Sequence, residues 1–337
     1  MKKSLIALAA ALAATTMLTS PEAVAAPATE FDLQAHRGGR GLVVENTLPA
    51  FANALELGVS TLELDIQITA DGRDVIGHDA TISNATCVDT GPVTPGDPQY
   101  PYVGKRVEDL TFAQVRTLDC GFKAQGNFPG QRTAPGAKMP TLEEVFALAG
   151  SHGAQTVKFS IELKTDPEGR ETASREVFAK RVASKIRRAN MADRAVIQSF
   201  DWGALMVMRR VDPSLPLYAL TEPTKVYPFS PWLGGLNLLE YGGSLVKAAK
   251  SIGAKALSPI YALPPSGTMN VPVVTTWMVQ EAHANGMLIV PWTVNDTAAM
   301  NMLIDKGVDG IITDYPDQLR EVLADRGMPL PPTYPAR

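Results

Sequence analysis

The sequence lacks most of the features that would place a protein in a specialised class. Among its 337 residues there are only two cysteines, and 31 Lys and Arg stand against 35 Asp and Glu. Charges of both signs are spread along the chain without a basic stripe, so we expect no nucleic acid partner. No G-x-G-x-x-G motif is present, which argues against an open dinucleotide-binding sheet.

Long apolar runs are also scarce, and the one candidate lies at the N-terminus. Lys2-Lys3 precede an apolar run from Leu5 to about Leu18, and Ala23-Val24-Ala25-Ala26 follows. This order is typical of an export signal, so residues 1–26 are predicted to be a signal peptide and the protein to be periplasmic or secreted. The run is short for a transmembrane segment, so we expect no stable membrane anchor. A lipid anchor is not expected either, because no cysteine lies near the cleavage site.

The two cysteines, Cys87 and Cys120, lie in a segment of different character from the rest. Residues 80–140 are crowded with proline and glycine. In an exported protein an even pair of cysteines argues for a disulfide, the alternative being two buried free thiols. We interpret residues 80–140 as an insertion that the disulfide holds together over one end of the domain. Loops of this length are often lid-like, although a passive decoration is the alternative.

Strand and helix patterns alternate regularly outside this insertion. Strands are predicted over 157–164 and 288–292, for example, and a long amphipathic helix over 170–188. Such alternation indicates a parallel α/β architecture. With about eight strands, the prediction is a TIM-type (β/α)8 barrel with a small inserted subdomain. The barrel is expected to span 27–330, followed by a C-terminal tail, 331–337.

One predicted strand, residues 61–69, carries chemistry on one of its faces. Its aliphatic residues alternate with polar ones, and the polar face includes Glu63 and Asp65. Asp71-Gly72 predicts a hairpin turn after it. If residues whose numbers sum to about 141 pair across this hairpin, Glu63 lies opposite His78. A slip of one residue would reverse that arrangement.

Polar residues recur at the ends of several predicted strands, where barrels place their active sites. Glu63, Asp65 and Glu162 would repel one another unless protons or a cation neutralised them. Oxygen-only ligation favours Ca²⁺ or Mg²⁺, so one divalent cation is predicted here. The alternative for each carboxylate alone is a salt bridge to Lys or Arg.

Two histidines at strand ends, His36 and His78, are candidates for a general acid and a general base near neutral pH. Structural histidines with satisfied hydrogen bonds are the alternative. Arg37, followed by Gly38-Gly39, suggests anion recognition, and Lys164 could add a second positive charge. No Ser or Cys nucleophile is evident, so we expect direct acid–base displacement on a phosphoryl group.

Together these motifs closely resemble the glycerophosphodiester phosphodiesterase family, and they follow the family's order over nearly the whole mature chain. One difference is Val44, where the family usually has proline before Glu45-Asn46-Thr47. The motifs are His36-Arg37-Gly38, Glu45-Asn46-Thr47-Leu48-Pro49-Ala50-Phe51, Glu63-Leu64-Asp65, Asp71-Gly72, His78-Asp79, Glu162-Leu163-Lys164, Trp292-Thr293-Val294-Asn295 and Asp309-Gly310-Ile311-Ile312-Thr313-Asp314-Tyr315-Pro316.

The resemblance implies a role for each site residue. His36 and His78 would be the acid–base pair, and Arg37 and Lys164 would bind the phosphate. Trp292 would wall the glycerol side. The implied metal ligands are Glu63, Asp65 and Glu162, with Glu45 close by. The implied reaction is hydrolysis of a glycerophosphodiester to sn-glycerol 3-phosphate and an alcohol, which makes a small molecule the expected partner.

Two other functions remain open at this stage. A phospholipase or phosphodiester lyase of the same fold would act on intact lipids and would need an apolar rim. A non-catalytic glycerophosphodiester-binding protein would not need both histidines and all three carboxylates. The sequence does not distinguish Ca²⁺ from Mg²⁺, the alcohol headgroup, the acid from the base, or the oligomeric state.

Overall fold

The computed structural model describes residues 30–263 and 271–336, so the predicted signal peptide lies outside the described residues. These ranges contain eleven strands: β1 (Asp32–Ala35), β2 (Thr61–Ile68), β3 (Asp74–Ile76), β4 (Lys158–Leu163), β5 (Ala195–Ser199), β6 (Leu217–Thr221), β7 (Ala256–Pro259), β8 (Ala262–Leu263), β9 (Val271–Pro272), β10 (Leu288–Ile289) and β11 (Gly310–Thr313).

Eight of these strands form a nearly closed parallel barrel, as the alternation of strand and helix patterns predicted. Their order is β1, β2, β4, β5, β6, β7, β10, and β11 pairs with β1 on its other side. Backbone hydrogen bonds join the two ends of this sheet: Asp309 N donates to Ile289 O at 2.9 Å and Ile312 N to Pro291 O at 3.0 Å. The remaining strands form two short hairpins, β3 against β2 and β8 against β9.

Nine α-helices occur in the described ranges, and most follow a barrel strand. None of them is long and apolar enough to cross a membrane. They are α1 (Leu48–Leu57), α2 (Phe112–Val115), α3 (Leu142–Ser151), α4 (Arg175–Arg188), α5 (Trp202–Val211), α6 (Leu245–Ser251), α7 (Thr276–Ala284), α8 (Thr297–Asp305) and α9 (Pro316–Asp325).

The first helix shows how local sequence sets the element boundaries. Thr47 is the N-cap of α1, and its side chain accepts a hydrogen bond from Ala50 N. Gly58 ends the helix with a φ of 89°, a conformation that favours glycine. Thr47 and Gly58, which the sequence pattern predicts as the start and stop of a helix, are thus its observed boundaries.

Strand alternation separates the core from the barrel interior. On β2, Leu62, Leu64 and Ile66 pack into the main hydrophobic core, together with buried helix residues such as Phe51. Glu63, between them in the sequence, points to the other face and is almost fully buried. The later strands instead contribute apolar interior residues, which form a separate small cluster: Val196, Tyr218, Ala256, Val290 and Ile312. The barrel interior is thus polar on the side of β2.

Residues 80–140 supply most of a third group of buried side chains, apart from the barrel core. Tyr102, Leu110 and Val115 lie at its centre and are fully buried. Cys87 and Cys120 form a disulfide within the same group. The pairing predicted for the two cysteines is therefore present in the structure.

Two predicted elements were too long. Helix α4 begins at Arg175 rather than at residue 170, because the Asp166 carboxylate accepts hydrogen bonds from the backbone N–H groups of Glu168, Arg170 and Glu171. These bonds hold residues 166–171 in a turn. Strand β10 ends at Ile289 rather than at residue 292. Pro291 has no N–H for a ladder hydrogen bond, which weakens the strand there.

The predicted hairpin register was wrong by one residue. Ile66 pairs with Ile76 and Ile68 with Asp74, so the residue numbers sum to 142. The loop contains three residues, 70–72, and Thr69 N donates to Arg73 O across its base. Glu63 and His78 are therefore not cross-strand partners, although both side chains line one cavity.

Candidate active site

A cavity of about 660 Å³ opens at the carboxyl ends of the barrel strands. It collects side chains from positions far apart in the sequence because the barrel brings all eight strand ends to one rim. Predicted site residues in its wall are His36, Arg37, Glu63, His78, Glu162, Lys164 and Trp292. Residues 80–140 contribute only Ala80 and Thr81 to this wall.

Three buried carboxylates converge beside the cavity. One oxygen each from Glu63, Asp65 and Glu162 lie within 4.8 Å of one another. Parallel pairing of β2 with β4 sets Asp65 directly beside Glu162, and Glu63 lies on the same face two residues earlier. The group predicted as metal ligands is thus brought together, and all three side chains are buried.

Burial shapes the protonation of this group. Loss of hydration and the neighbouring carboxylates raise the pKa of Glu63 well above its usual value. Burial also raises the pKa of Glu162, although the charge of Lys164 opposes it. For Asp65, burial is outweighed by the charges of Arg37 and Lys164, and its pKa is lowered. The group therefore resists carrying three negative charges together.

Hydrogen bonds hold two of the carboxylates in place. Glu63 accepts from the Gln198 side chain at 2.7 Å and from the backbone N–H of Arg37 at 2.8 Å. Asp65 accepts from Asn46 Nδ2 at 2.9 Å through one oxygen. Its other oxygen, Oδ1, is buried without a hydrogen-bond partner among the described residues, an arrangement that costs free energy unless a cation or water meets it.

Arg37 links the carboxylate group to a second acidic residue. Its Nε lies 3.2 Å from Asp65 Oδ2, and its Nη1 lies 2.7 Å from Glu45 Oε1. Glu45 also contacts Arg40 at 3.1 Å. Glu45 is therefore close to the three carboxylates but paired with arginines instead of being a member of the group.

The turn that carries Arg37 has an unusual backbone. Arg37 and Asn46 have φ values of 51° and 55°, uncommon for residues with side chains, and Asn46 N donates to Arg37 O at 3.0 Å. This mutual contact holds both polar side chains toward Asp65. Strained backbone of this kind is concentrated at functional sites.

A second positively charged side chain, Lys164, lies just after β4. Its Nζ is 3.0 Å from Glu162 Oε1 and 3.8 Å from Asp65 Oδ1. These charges outweigh the effect of burial and raise the pKa of Lys164, so it remains charged at neutral pH. Lys164 and Arg37 thus offset part of the negative charge of the carboxylates.

Each cavity histidine is paired with a carboxylate. His36 Nδ1 lies 2.5 Å from Asp314 Oδ1, and its side chain is only 12% exposed. His78 Nδ1 lies 2.6 Å from Asp79 Oδ1, and its side chain is 35% exposed. The two predicted acid–base candidates therefore differ in their access to solvent, with His36 the less exposed of the two.

Burial lowers the pKa of His36 to about 4, against the opposing influence of Asp314. Burial of Asp314 is in turn outweighed by its contacts with His36 and Arg40, which hold its pKa at about 2. An ionised carboxylate only accepts hydrogen bonds, so the neutral His36 ring donates from Nδ1. Its Nε2 is left as an acceptor.

An aromatic wall closes the side of the cavity near the later strands. Trp292 is anchored by a hydrogen bond from Nε1 to Ser258 O at 2.9 Å. The Phe200 ring packs edge-on against it with centroids 5.2 Å apart. Trp292 was predicted at this site, whereas Phe200 was not.

Several supporting residues were missed by reasoning from the sequence. Asp314 and Asp79 stood in the quoted motifs, yet neither was predicted as a histidine partner. The others are Arg40, which donates to Asp314 at 3.0 Å, and Asn295, which donates to it at 2.7 Å, besides Asn46. In a barrel β11 adjoins β1, so Asp314 at the end of β11 could have been placed beside His36.

Known proteins share this chain's sequence pattern and architecture. A protein from Caldanaerobacter subterraneus named glycerophosphodiester phosphodiesterase is 29% identical over 293 residues, which cover 87% of this chain and 98% of that one. A human protein named lysophospholipase D is 25% identical over 305 residues, covering 86% and 84% of the two chains.

A solved structure from Silicibacter pomeroyi, named for a glycerophosphoryl diester phosphodiesterase, superposes with a TM-score of 0.74 at 32% identity. The alignment covers 89% of this chain and 95% of that one. The model of the glycerophosphoryl diester phosphodiesterase family matches residues 36–318, a span that runs from the first cavity histidine past Asp314. The chain belongs to the glycerophosphoryl diester phosphodiesterase family.

Proposed function

We propose that the protein hydrolyses glycerophosphodiesters to sn-glycerol 3-phosphate and an alcohol. The observation that carries the proposal is a cavity lined by two histidines that each contact a carboxylate and by two cationic side chains, with three converging carboxylates beside it. This set contains proton donors and acceptors together with charges that suit a phosphoryl group. It contains no serine or cysteine paired with a histidine, so water is the proposed nucleophile.

The donors present suit a hard divalent cation. Glu63, Asp65 and Glu162 would hold it, because they offer only oxygens and because Asp65 Oδ1 is buried without a hydrogen-bond partner among the described residues. Either Ca²⁺ or Mg²⁺ suits this donor set. When bound, the cation would stabilise negative charge that develops on the phosphoryl oxygens.

The histidines have different roles in this proposal. His36, neutral at pH 7 and with Nε2 as an acceptor, takes a proton from water as the water oxygen bonds to phosphorus. His78 gives a proton to the alcohol oxygen as its bond to phosphorus breaks. Asp314 and Asp79 keep each ring oriented through Nδ1. Arg37 and Lys164 bind the phosphoryl oxygens that carry the negative charge.

The test is an assay for sn-glycerol 3-phosphate with purified protein and several glycerophosphodiesters. His36→Ala and His78→Ala should each lower kcat/KM by on the order of a hundredfold or more. His283→Ala is a matched control, since His283 also pairs with an aspartate, Asp309 at 3.0 Å, but lies outside the cavity. Full turnover by the His36→Ala protein would contradict the acid–base assignment.

A second candidate function is hydrolysis of lysophospholipids, and one surface feature favours it. The segment after β6 exposes Tyr227, Phe229 at 82% and Leu239 at 72%. The same segment contributes Lys225 and Trp232 to the cavity wall, so an acyl chain has apolar contacts near the opening. The human relative is named for this activity.

Comparison of glycerophosphodiesters with lysophospholipids of the same headgroup separates the two functions. If lysophospholipids are substrates, Phe229→Ser should raise the KM for lysophospholipids and leave the KM for glycerophosphodiesters unchanged. Equal effects on both substrates would exclude the proposed contact between Phe229 and the acyl chain, and no hydrolysis of lysophospholipids would exclude the second function.

We also propose that the protein acts outside the cytoplasm. The N-terminal signal pattern supports this, and so does the Cys87–Cys120 disulfide, because such bonds persist in oxidising compartments. Cell fractionation tests it: activity confined to the cytosolic fraction of the source cells would overturn the proposal.

A further inference from the structure

Beyond the carboxylates and histidines, the cavity contains a lysine enclosed by aromatic rings. Lys225 lies in the segment after β6, and its Nζ is 4.9 Å from the Phe200 ring centroid and 4.8 Å from the Trp232 ring centroid. Its ammonium also forms an ion pair with Glu222. All four residues line the cavity. We refer to Phe200, Trp232, Lys225 and Glu222 as the lysine box.

Two ring faces beside one carboxylate form a receptor for a cation. Trimethylammonium groups bind in such arrangements through their diffuse positive charge. In this protein a tethered ammonium already occupies the position between the rings. A ligand with a quaternary ammonium would have to displace the Lys225 ammonium from both rings and from Glu222. Otherwise the two positive charges would repel each other.

The lysine box adjoins the reaction centre. Phe200 is shared between them, because Lys164 Nζ lies 5.9 Å from the same ring centroid and 3.0 Å from Glu162. A phosphodiester bound at Lys164 therefore has one of its substituents within reach of the box. The box offers that substituent a donor in Lys225 and an acceptor in Glu222, a pair that matches hydroxyl groups.

We infer that the lysine box is the subsite for the alcohol headgroup and selects polyol headgroups over quaternary ammonium headgroups. This inference rests on the proposed hydrolysis and specifies its substrate class. An ammonium carries three donors, and the Glu222 contact uses one of them. The remaining N–H groups donate hydrogen bonds to headgroup hydroxyls of glycerol or inositol. The trimethylammonium group of choline has no hydrogen-bond acceptor for them.

The test compares glycerophosphoglycerol with glycerophosphocholine in the wild type and in Lys225→Met. The methionine keeps most of the side-chain length, removes the charge, and leaves Glu222 beside two open ring faces. The ratio of kcat/KM for the choline diester to that for the glycerol diester should rise by about tenfold, the size expected for one cation–π and ion-pair site. Lys225→Arg should keep the wild-type ratio.

A matched control is Lys250→Met, since Lys250 is exposed on α6 and absent from the cavity wall. An unchanged ratio in Lys225→Met would overturn the inference. So would an equal change in kcat/KM for both diesters, because that result would place Lys225 on the glycerol moiety that the two substrates share.

Ligand binding provides a readout that needs no turnover. Tetramethylammonium should quench the fluorescence of Trp232 in Lys225→Met at millimolar concentrations and leave the wild type unaffected. If the wild type hydrolyses neither diester while this binding pattern holds, the proposed hydrolysis fails and the cation-receptor geometry stands. Equal quenching in both proteins would overturn the assignment of Lys225 as the group that excludes such cations.

Discussion

Each histidine of the cavity has a carboxylate behind it, and the two pairs differ in how much water reaches them. His36 is only 12% exposed and Asp314 is buried, and Asp314 is held further by Arg40 and Asn295. His78 and Asp79 are open to solvent. A buried neutral ring suits the removal of a proton, and an accessible ring suits proton release to a departing alcohol, which is the basis for the roles proposed above.

Asp314→Asn should lower kcat/KM by on the order of a hundredfold, because the amide can donate to Nδ1 and so favour the tautomer with its proton on Nε2. KM should change little, since Asp314 does not line the cavity. Steady-state kinetics with glycerophosphoglycerol measures both. A loss carried entirely by KM, with kcat intact, would mean that Asp314 serves substrate binding.

The pH profile should show an unusually low acid limb. His36 acts as a base only when neutral, and burial lowers its pKa to about 4. Activity should therefore persist as pH falls from 7 to 5 and decline only near pH 4, below the usual histidine value of about 6.5. The profile of kcat/KM, which reports groups of the free enzyme, is measured with metal saturating at each pH, because protons compete for the carboxylates. An acid limb near pH 6.5 that does not move with added metal would contradict this assignment.

At the scale of elements, the turn after β1 places the site. Arg37 has a φ of 51°, and Gly38 and Gly39 follow at 83° and 82°. A Cβ on Gly38 would lie 2.9 Å from Ala50 Cβ and 3.0 Å from the backbone of α1. The turn thus packs against the start of the helix and directs the Arg37 N–H to Glu63. Only glycine allows this close approach.

Gly38→Ala should therefore cost more stability than a glycine substitution at similar φ in open space. Gly96, with φ of 78° and no atom within 4 Å of an added Cβ, is the matched control. We expect about 1–2 kcal/mol for Gly96→Ala from the backbone alone. Gly38→Ala should cost about 1–3 kcal/mol more, from overpacking. Urea denaturation measures both free energies, and equal losses would show that the helix moves aside freely.

The elements also show how far prediction from sequence reaches. Alternation on β2 correctly predicted that Glu63 and Asp65 share a face and turn away from the core, because the period of two is a local property. The hairpin register depends on loop length, and Asp71-Gly72 indicated a turn without fixing a three-residue loop. The start of α4 was predicted too early, because the Asp166 carboxylate accepts backbone hydrogen bonds that hold the preceding residues in a turn. Hydrophobic periodicity contains no information about such side-chain hydrogen bonds.

At the scale of the whole molecule, barrel closure assembles the site. His36 and Asp314 are 278 positions apart, yet they meet because β11 lies beside β1. Most predicted site residues lie on or just after barrel strands, where the fold itself determines position. The lysine box was not predicted, because Lys225 and Trp232 lie in a segment without regular strand or helix periodicity. Its path depends on tertiary packing.

Metal binding should stabilise the whole fold, because the three carboxylates of the site come from two neighbouring strands. At a free concentration 100-fold above Kd, a ligand specific for the folded state adds about 2.7 kcal/mol. Thermal unfolding in chelator, followed by titration with Ca²⁺ or Mg²⁺, should therefore raise Tm by several degrees. Glu162→Gln should abolish most of this rise, whereas Glu56→Gln, an exposed carboxylate on α1, should keep it.

The gain in Tm should also grow with pH. Burial raises the pKa of Glu63 and of Glu162, so the metal-free fold holds protons that the unfolded chain releases above about pH 4.5. Stability of the metal-free protein therefore falls as pH rises from there through the folded pKa values. A cation binds the ionised carboxylates and offsets that loss, so the difference in Tm between metal-bound and metal-free protein should be larger at pH 8 than at pH 5.5. A difference that shrinks with pH would mean that the cation binds elsewhere.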